Sequence, residues 1–389
     1  MKPSETAVRG GPLAGIRVVE LAGIGPGPLA AMFLADMGAT VIRVDRQEPS
    51  GLGIARPPRF DLGLRNRKSI RVDLKDPAAV ETVMQLIDQA DALIEGFRPG
   101  VTERLGLGPK NCLARNPRLV YGRITGWGQY GPLAQSAGHD INYIAITGVL
   151  DAIGRAGGPP TVPLNVVGDF AGGSLYLAMG MLAALLEARG SGKGQVVDAA
   201  IVDGVAMLLT PWIGLRAAGM VNDERGTNLL DSGAPFYDTY ACADGKYVAI
   251  GPIESKFYDQ LLQRLGLDSP ELRAQMDRGC WPEARRQFAE TFKTRTRDAW
   301  AEIFRGTDLC VSPVLSIGEA FDDPHLKARR TFIQVDGVTQ PAPGPRFSRT
   351  SLPDPEPPAG LGPDVARAAL EGWLPAPSIE QLITAGTVR

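Results

Sequence analysis

Histidine is almost missing from this chain: His139 and His325 are the only two in 389 residues. Cysteine is nearly as sparse. Cys112, Cys242, Cys280 and Cys310 are scattered and form no CxxC pair. Without clustered His and Cys, a zinc site or other catalytic metal is not expected. Isolated thiols also argue against a disulfide framework and for a reducing cytoplasm. An excess of one charge is lacking too: Lys and Arg total 41 against 43 Asp and Glu. Nucleic acid is therefore not an expected partner, and an anionic ligand must be met by locally placed Arg and Lys. The stretch "MKPSETAVRGGPLAG" has no apolar segment of the secretory kind. The longest apolar run, "LYLAMGMLAALLEA" (Leu175 to Ala188), is too short to span a bilayer and reads as a buried core helix, so no membrane association is expected.

Three familiar motifs also fail. In "GIGPGP" (Gly23 to Pro28), Gly23 and Gly25 fit a dinucleotide fingerprint and Asp45 follows 22 positions after Gly23, but Pro28 takes the place of the third glycine. A tight turn feeding a helix accounts for it. In "GSGKGQ", Glu187 stands where a phosphate loop needs its first glycine, and Gly194 replaces the magnesium-holding hydroxyl. No GxSxG elbow is present, so a serine hydrolase has no motif to stand on.

What the first half does contain is alternation. Strand-like "IRVVELA", "TVIRVDR", "DALIEGFRPG" and "RLVYGRITGWG" are separated by helical stretches such as "LAAMFLADMG" and Pro77 to Ala90. This rhythm predicts an α/β fold with a parallel sheet covered on both faces and ligands at the strands' carboxyl ends. Around residue 205 the texture changes. "GAPFYDTYACADGKYVAIG" predicts a hairpin about Asp244-Gly245, and helices follow to about Phe304. The expected domains are 1–205, a linker at 206–231, a smaller α+β domain at 232–323, and a return to the large domain at 324–389. Within that return, the Pro-rich chain from Phe332 reads as an extended strap, closed by helices in "GPDVARAALEGWL" and "SIEQLITAG".

Four basic residues follow strands: Arg46, Lys75, Arg98 and, close behind, Arg104. Singly each reads as a surface charge; together on one sheet edge they would suit a polyanion such as a nucleotide diphosphate. His139 and Asp140 open a helical pattern. A helix dipole disfavours a cationic imidazole at that end, which suits a neutral base, and the main-chain N–H groups there suit an oxyanion. A histidine that only caps the loop fits the same residues. Asp169 precedes the apolar helix, either as an N-cap or as a carboxyl whose pKa burial raises and a helix start lowers. Glu254, after "KYVAIGPI", reads as a first-turn helix acid.

Longer motifs carry a resemblance. "GIRVVELAGIGPGPLAAMFLADMGATVIRVDR", "LRNRKSI", "LIEGFRPGVTERLGLGP", "GRITGWGQYGP", "AGHDINYIAITGVL", "LNVVGDFAGGS", "SGKGQVVDAAIVDG" and "DSGAPFYDTYACADGKYVAIG" resemble the family III CoA-transferase (CaiB/BaiF-type) superfamily. Within it they are most similar to the α-methylacyl-CoA racemase branch. Gln47 to Gly63 resembles nothing. The resemblance implies a large Rossmann-like CoA domain, a small α+β domain and an interlocked homodimer. It further implies that Arg46 meets a CoA phosphate, and that Val72, Asp73, Leu74, Lys75, Gly96, Phe97, Arg98 and Arg104 line the rest of CoA. Gly138, Ile141, Asn142 and Tyr143 would surround the thioester. His139 and Asp169 would be two catalytic proton carriers, with donors at the Asp140 helix start for the thioester oxygen. Glu254 would pair with the histidine of a partner chain.

The transferases usually lack the histidine of "GHD", so its presence favours proton transfer over acyl-anhydride chemistry. The implied activity is inversion of the α-carbon of a 2-methylacyl-CoA through an enolate, without a cofactor, because CoA is part of the substrate. The alternative is a CoA-transferase with Asp169 as nucleophile. A CoA-ester binder without catalysis is a third reading.

Overall fold

The computed structural model describes residues 10–48 and 51–389. Contacts divide the chain into two compact units. The larger comprises Met1–Thr147, Leu164–Leu208 and His325–Arg389; the smaller comprises Gly148–Pro163 and Leu209–Pro324. Two expected boundaries move. Residues 148–163 cluster with the smaller unit, and 206–231 is no linker: it carries the helix Thr210–Ala217 and belongs mostly to that unit.

In the larger unit the elements begin with β1 (Arg17–Leu21), α1 (Pro26–Asp36), β2 (Thr40–Arg46) and β3 (Arg67–Val72). Next come α2 (Pro77–Ile87), β4 (Ala92–Glu95), α3 (Val101–Arg104), α4 (Pro109–Arg115), β5 (Val120–Thr125) and α5 (Asp140–Ile146). A π-helical segment, Val166–Leu175, runs directly into α6 (Tyr176–Ser191), followed by β6 (Val196–Ala200) and α7 (Ile201–Leu208). The six strands form one parallel sheet in the order β3-β2-β1-β4-β5-β6. Strands buried on both faces need near-continuous apolar residues, and Val18, Val19, Leu93, Ile94 and Tyr121 are fully buried. Helices Pro363–Leu370 and Ala376–Thr384 close over the same core, with Ala366, Leu370 and Ile379 packed among sheet and α2 side chains.

Three elements differ from expectation. The π-helical segment and α6 together make 26 continuous helical residues, Val166–Ser191, long and apolar enough by length and composition to cross a membrane. They nevertheless pack on β5 and β6, with Leu177, Met181 and Leu185 buried. The helix is only half buried, because Leu175, Met179 and Leu186 are exposed. The strap beginning at Phe332 opens with a hairpin, Phe332–Val335 against Val338–Pro341. Its turn is Asp336-Gly337, both at positive φ, as a two-residue hairpin turn demands. The helix after His139 ends at Ile146, and Gly148, at φ +86, starts a separate turn.

In the smaller unit, Asp238–Ala241 pairs antiparallel with Tyr247–Ile250, which pairs with Val311–Pro313. An aromatic core of Phe236, Tyr240, Tyr258, Phe288, Phe292 and Trp300 underlies this sheet.

Backbone meets backbone closely where the π-helical segment packs on α7. A Cβ at Gly204 would stand 1.9 Å from the Gly172 carbonyl oxygen. Gly204→Ala is expected to cost about 1–3 kcal/mol of stability by overpacking. Gly190→Ala, with nothing within 4 Å of its added Cβ, should instead gain about 0.5–1 kcal/mol within its helix. Urea denaturation of the two variants checks the contrast.

Candidate active site

The sheet order reverses between β1 and β4, so the loops leaving their carboxyl ends diverge and open a crevice. A cavity of about 350 Å³ lies there, walled by Ala22, Gly23 and Ile24 after β1, Arg46 at the end of β2, and Gly96 and Phe97 after β4. The Arg46 guanidinium carbon lies 6.0 Å from the Phe97 ring centroid. Phe97 is itself anchored, its main-chain N–H donating to Glu95 Oε2 at 2.7 Å.

Alternation along β3 sends Ile70 and Val72 into the core and turns Arg67, Ser69 and Arg71 to the cavity. Arg67 is 4% exposed. One of its nitrogens, Nη1, donates to Glu20 Oε2 at 2.5 Å and to the Pro28 carbonyl at 2.9 Å. Its Nε and Nη2, and Nε of Arg71, are buried without a hydrogen-bond partner among the described residues. Burial pulls the pKa of Arg67 down, with Glu20 pulling the other way. Arg43 has no such surplus: it pairs with Glu20 at 2.6 Å and Asp45 at 2.8 Å. A cavity edged by under-compensated guanidinium groups is built for an anion. Sequence reasoning passed over Arg67 and Arg71. Their signal is two arginines on one face of a strand whose other face is apolar.

A second cluster forms where α5 meets the π-helical segment. His139 is the N-cap of α5, with extended backbone (φ −132, ψ 176), and its main-chain N–H donates to Asn142 Oδ1 at 3.0 Å. Its side chain is exposed, whereas Asp140 is buried. Asp169 is not an N-cap. It stands inside the π-helical segment, half-buried, and its main-chain N–H donates to Asp140 Oδ2 at 2.7 Å. Asn165 Nδ2 donates to Asp169 Oδ2 at 3.3 Å. Burial raises the pKa of Asp169; the Asn165 hydrogen bond opposes this, the Asp140 carboxylate adds to it, and His139 lowers it. His139 and Asp169 are linked through Asp140, the residue after His139, which accepts the Asp169 main-chain N–H. π-Helical turns are rare and recur at functional sites, which makes this irregularity informative.

Glycine makes room for the cluster. Gly25, at φ +69 and ψ −122, holds a conformation closed to other residues, and a Cβ there would lie 3.7 Å from Asp169 Oδ2. The "GIGPGP" turn therefore backs the carboxyl. Tyr143 fills space beside Gly126 and Gly138, where a Cβ would come within 2.0 and 2.7 Å of its ring. It meets Trp127 edge-on at 4.8 Å, and its hydroxyl donates to the Gly138 carbonyl. Burial, chiefly, pushes its phenol up to about 12. Tyr143 braces the loop before His139, while Ile141 and Asn142 on the same helix are exposed.

The remaining expected residues are placed as follows. Arg98 is exposed, near enough to Tyr143 to lower its pKa. Val72 is buried in the core, and Leu74 packs against it. Asp73 Oδ1 accepts the Lys75 main-chain N–H at 3.0 Å in the turn after β3. Lys75 and Arg104 are exposed and lie outside the cavity lining. Glu254, exposed, is the N-cap of helix Ser255–Leu265 in the smaller unit.

The chain matches the family model of CoA-transferase family III over residues 13–364. It is 45% identical to mouse alpha-methylacyl-CoA racemase over 340 residues, 87% of each chain. Identity with human alpha-methylacyl-CoA racemase is 46% over 336 residues, 85% of this chain and 86% of that one. It is 32% identical to the alpha subunit of succinyl-CoA--L-malate CoA-transferase from Chloroflexus aurantiacus, covering 92% of this chain and 87% of the other. Among solved structures, a CAIB/BAIF family protein from Brucella suis superposes with a TM-score of 0.79 at 27% identity, covering 94% of this chain and 99% of that one. With the family model matched over most of its length and two relatives at 45–46% identity, the chain belongs to CoA-transferase family III.

Proposed function

We propose that the protein is an α-methylacyl-CoA racemase, which inverts the α-carbon of 2-methylacyl-CoA thioesters by two-base proton transfer. The observation that carries this reading is that Asp140, the residue after His139, accepts the main-chain N–H of Asp169, in a chain nearly half identical to two racemases. Inversion needs a proton removed on one face of the carbon and returned on the other. A single residue would tend to return it where it came from, so two groups are required. His139 takes the proton from the S-form and Asp169 from the R-form. The main-chain N–H of Asp140 holds the thioester oxygen as it gains charge; losing such a donor costs about a hundred- to a thousandfold in rate. The thioester supplies the acidity, so the reaction needs no added cofactor.

A raised pKa makes ionised Asp169 a stronger base than an ordinary aspartate, and its acid form a donor that survives nearer neutrality. The CoA end rests on Arg46 and on Arg67 and Arg71, and the unpartnered donors of the latter two suit phosphate oxygens. The similarity to a CoA-transferase subunit favours a second reading, in which Asp169 attacks the thioester as nucleophile. That chemistry leaves a hydroxylamine-sensitive acyl-enzyme and does not require exchange of the α-proton.

Pairing with a second copy belongs to the same proposal. Leu175, Met179 and Leu186 on the long helix, and Met207 and Leu208 on α7, are exposed within the larger unit. A patch of this kind calls for a protein partner. The family resemblance makes that partner another copy, whose Glu254 orients the His139 imidazole.

In deuterated water, either enantiomer of a 2-methylacyl-CoA should acquire α-deuterium. His139→Ala should abolish this while CoA-ester binding persists. With the R-form, where Asp169 must be ionised, the acid limb of kcat/KM should lie above the pH of an ordinary aspartate. No α-deuterium from either enantiomer ends the racemase reading. Arg71→Met should weaken CoA-ester binding about tenfold or more by calorimetry, the scale of a charge-assisted hydrogen bond. Co-expression of His139→Ala with Glu254→Ala should restore about a quarter of wild-type activity if the pair acts between chains, because half the dimers are mixed and each has one intact site. Activity no higher than either variant alone refutes the intersubunit pair.

A further inference from the structure

We infer that the Asp140 side chain is a positioning residue for Asp169: it fixes the turn of the π-helical segment on which the second proton carrier stands. The geometry is unusual for an aspartate at a helix start. Such residues ordinarily face solvent, or cap their own helix. Asp140 is only 5% exposed. Its Oδ2 accepts the main-chain N–H of Asp169 from across the site, at 2.7 Å.

The first N–H groups of any helical segment lack partners within it. Asp169 is the fourth residue of its segment, and Asp140 satisfies its N–H from outside. Gly168 shows how tightly the contact is made: a Cβ there would stand 2.5 Å from the same Oδ2. The other oxygen, Oδ1, is buried with no hydrogen-bond partner among the described residues. Leaving a buried carboxylate oxygen unpartnered is costly, and the fold keeps the carboxylate in place regardless.

Position brings a second effect. The charge of Asp140 is one of the influences that raise the pKa of Asp169, after burial and against the Asn165 hydrogen bond. The other ionisable groups acting here are His139 and the Tyr143 phenol, both at the same helix start. The atoms nearest the glycines of the segment belong, on the sides of α1 and α7, to Pro26, Ile201, Gly204 and Val205, none of which ionises. Asp140 therefore both fixes the backbone that carries the carboxyl and adds to its basicity. The catalytic consequence rests on the racemase reading; the geometry does not.

The test separates the two. Label the aspartate γ-carboxyls with carbon-13, assign the Asp169 resonance by its loss in Asp169→Asn, and titrate wild type and Asp140→Asn by NMR. Asn keeps an oxygen to accept the N–H but removes the charge, so Asp169 should titrate at lower pH in the variant. In parallel, hydrogen–deuterium exchange should be faster across residues 166–175 in Asp140→Ala and unchanged in Asp140→Asn. For turnover, Asp140→Ala should lose about a hundredfold in α-deuterium incorporation, the scale of a misaimed group, with CoA-ester affinity kept.

An Asp169 titration unmoved by Asp140→Asn, or undiminished protection of 166–175 in Asp140→Ala, overturns the inference. Should the alanine variant fail to fold, the titration in Asp140→Asn still decides. A wild-type protein that incorporates no α-deuterium yet shows the expected shift and protection fails the racemase reading alone.

Discussion

Under the proposed function Asp169 both gains and loses a proton, and such a carboxyl has to be kept from full hydration without being sealed by a counter-charge. Around Asp169 this condition is met by bringing backbone against backbone. Gly172 and Gly204 approach until no Cβ fits between them, and Gly25 closes the carboxyl's other side. Ser174 Oγ stands 2.9 Å from the Pro26 carbonyl and 3.1 Å from that of Asp169, tying the segment to the start of α1. Since glycine carries no side chain to hydrogen-bond or ionise, what remains to set the carboxyl's chemistry is Asn165, Asp140 and His139. Each opposes or supports the negative form in a different sense. Packing thus decides the electrostatics here, and any substitution that pushes the segment outward alters both.

The frame of this arrangement was legible from the chain. Apolar runs long enough for doubly covered strands fall at β1, β2, β4 and β5, and Asp244-Gly245 falls in the turn between Ala241 and Tyr247, the hairpin of the smaller sheet. His139 was found through its scarcity and its place before a helical pattern. The π-helical segment was not legible. A turn widened beyond 3.6 residues leaves no periodic trace in ten residues with three glycines, so Asp169 read as preceding the helix and the helix as too short. The boundary at 148–163 depends on contacts with residues far along the chain, which periodicity does not encode. Asp336-Gly337 is a different failure: the hairpin signal was present and the surrounding prolines masked it.

Charge divides the larger unit in two. At the crevice, Arg46, Arg67 and Arg71 gather with one buried acid, Glu20, already shared between Arg43 and Arg67. At the start of α5, the buried Asp140 carboxylate accepts the main-chain N–H of a second aspartate, Asp169. Each locus on its own is a cost to the folded state, because buried charge without compensation is unfavourable. A ligand with several negative charges at one end and a weakly acidic carbon at the other relieves the first locus and uses the second. CoA thioesters have that polarity.

The loop after β1 makes the two loci one site. Gly23 and Ile24 wall the cavity, and Gly25, the next residue, lies against the Asp169 carboxyl. A ligand gripped at the crevice therefore reaches the carboxyl across the thickness of one turn, on a strand end fixed by the sheet. Under the proposed function, this geometry lets the phosphate-bearing part of the substrate hold the reacting carbon between two proton carriers. Remote binding is then converted into rate, since it orients a carbon that has no polar group of its own to be held by. The failed dinucleotide fingerprint takes on a physical meaning in this light. Gly25 is kept because its neighbour is the Asp169 carboxyl, and Pro28, in the first turn of α1, stands where a missing N–H costs no helical hydrogen bond.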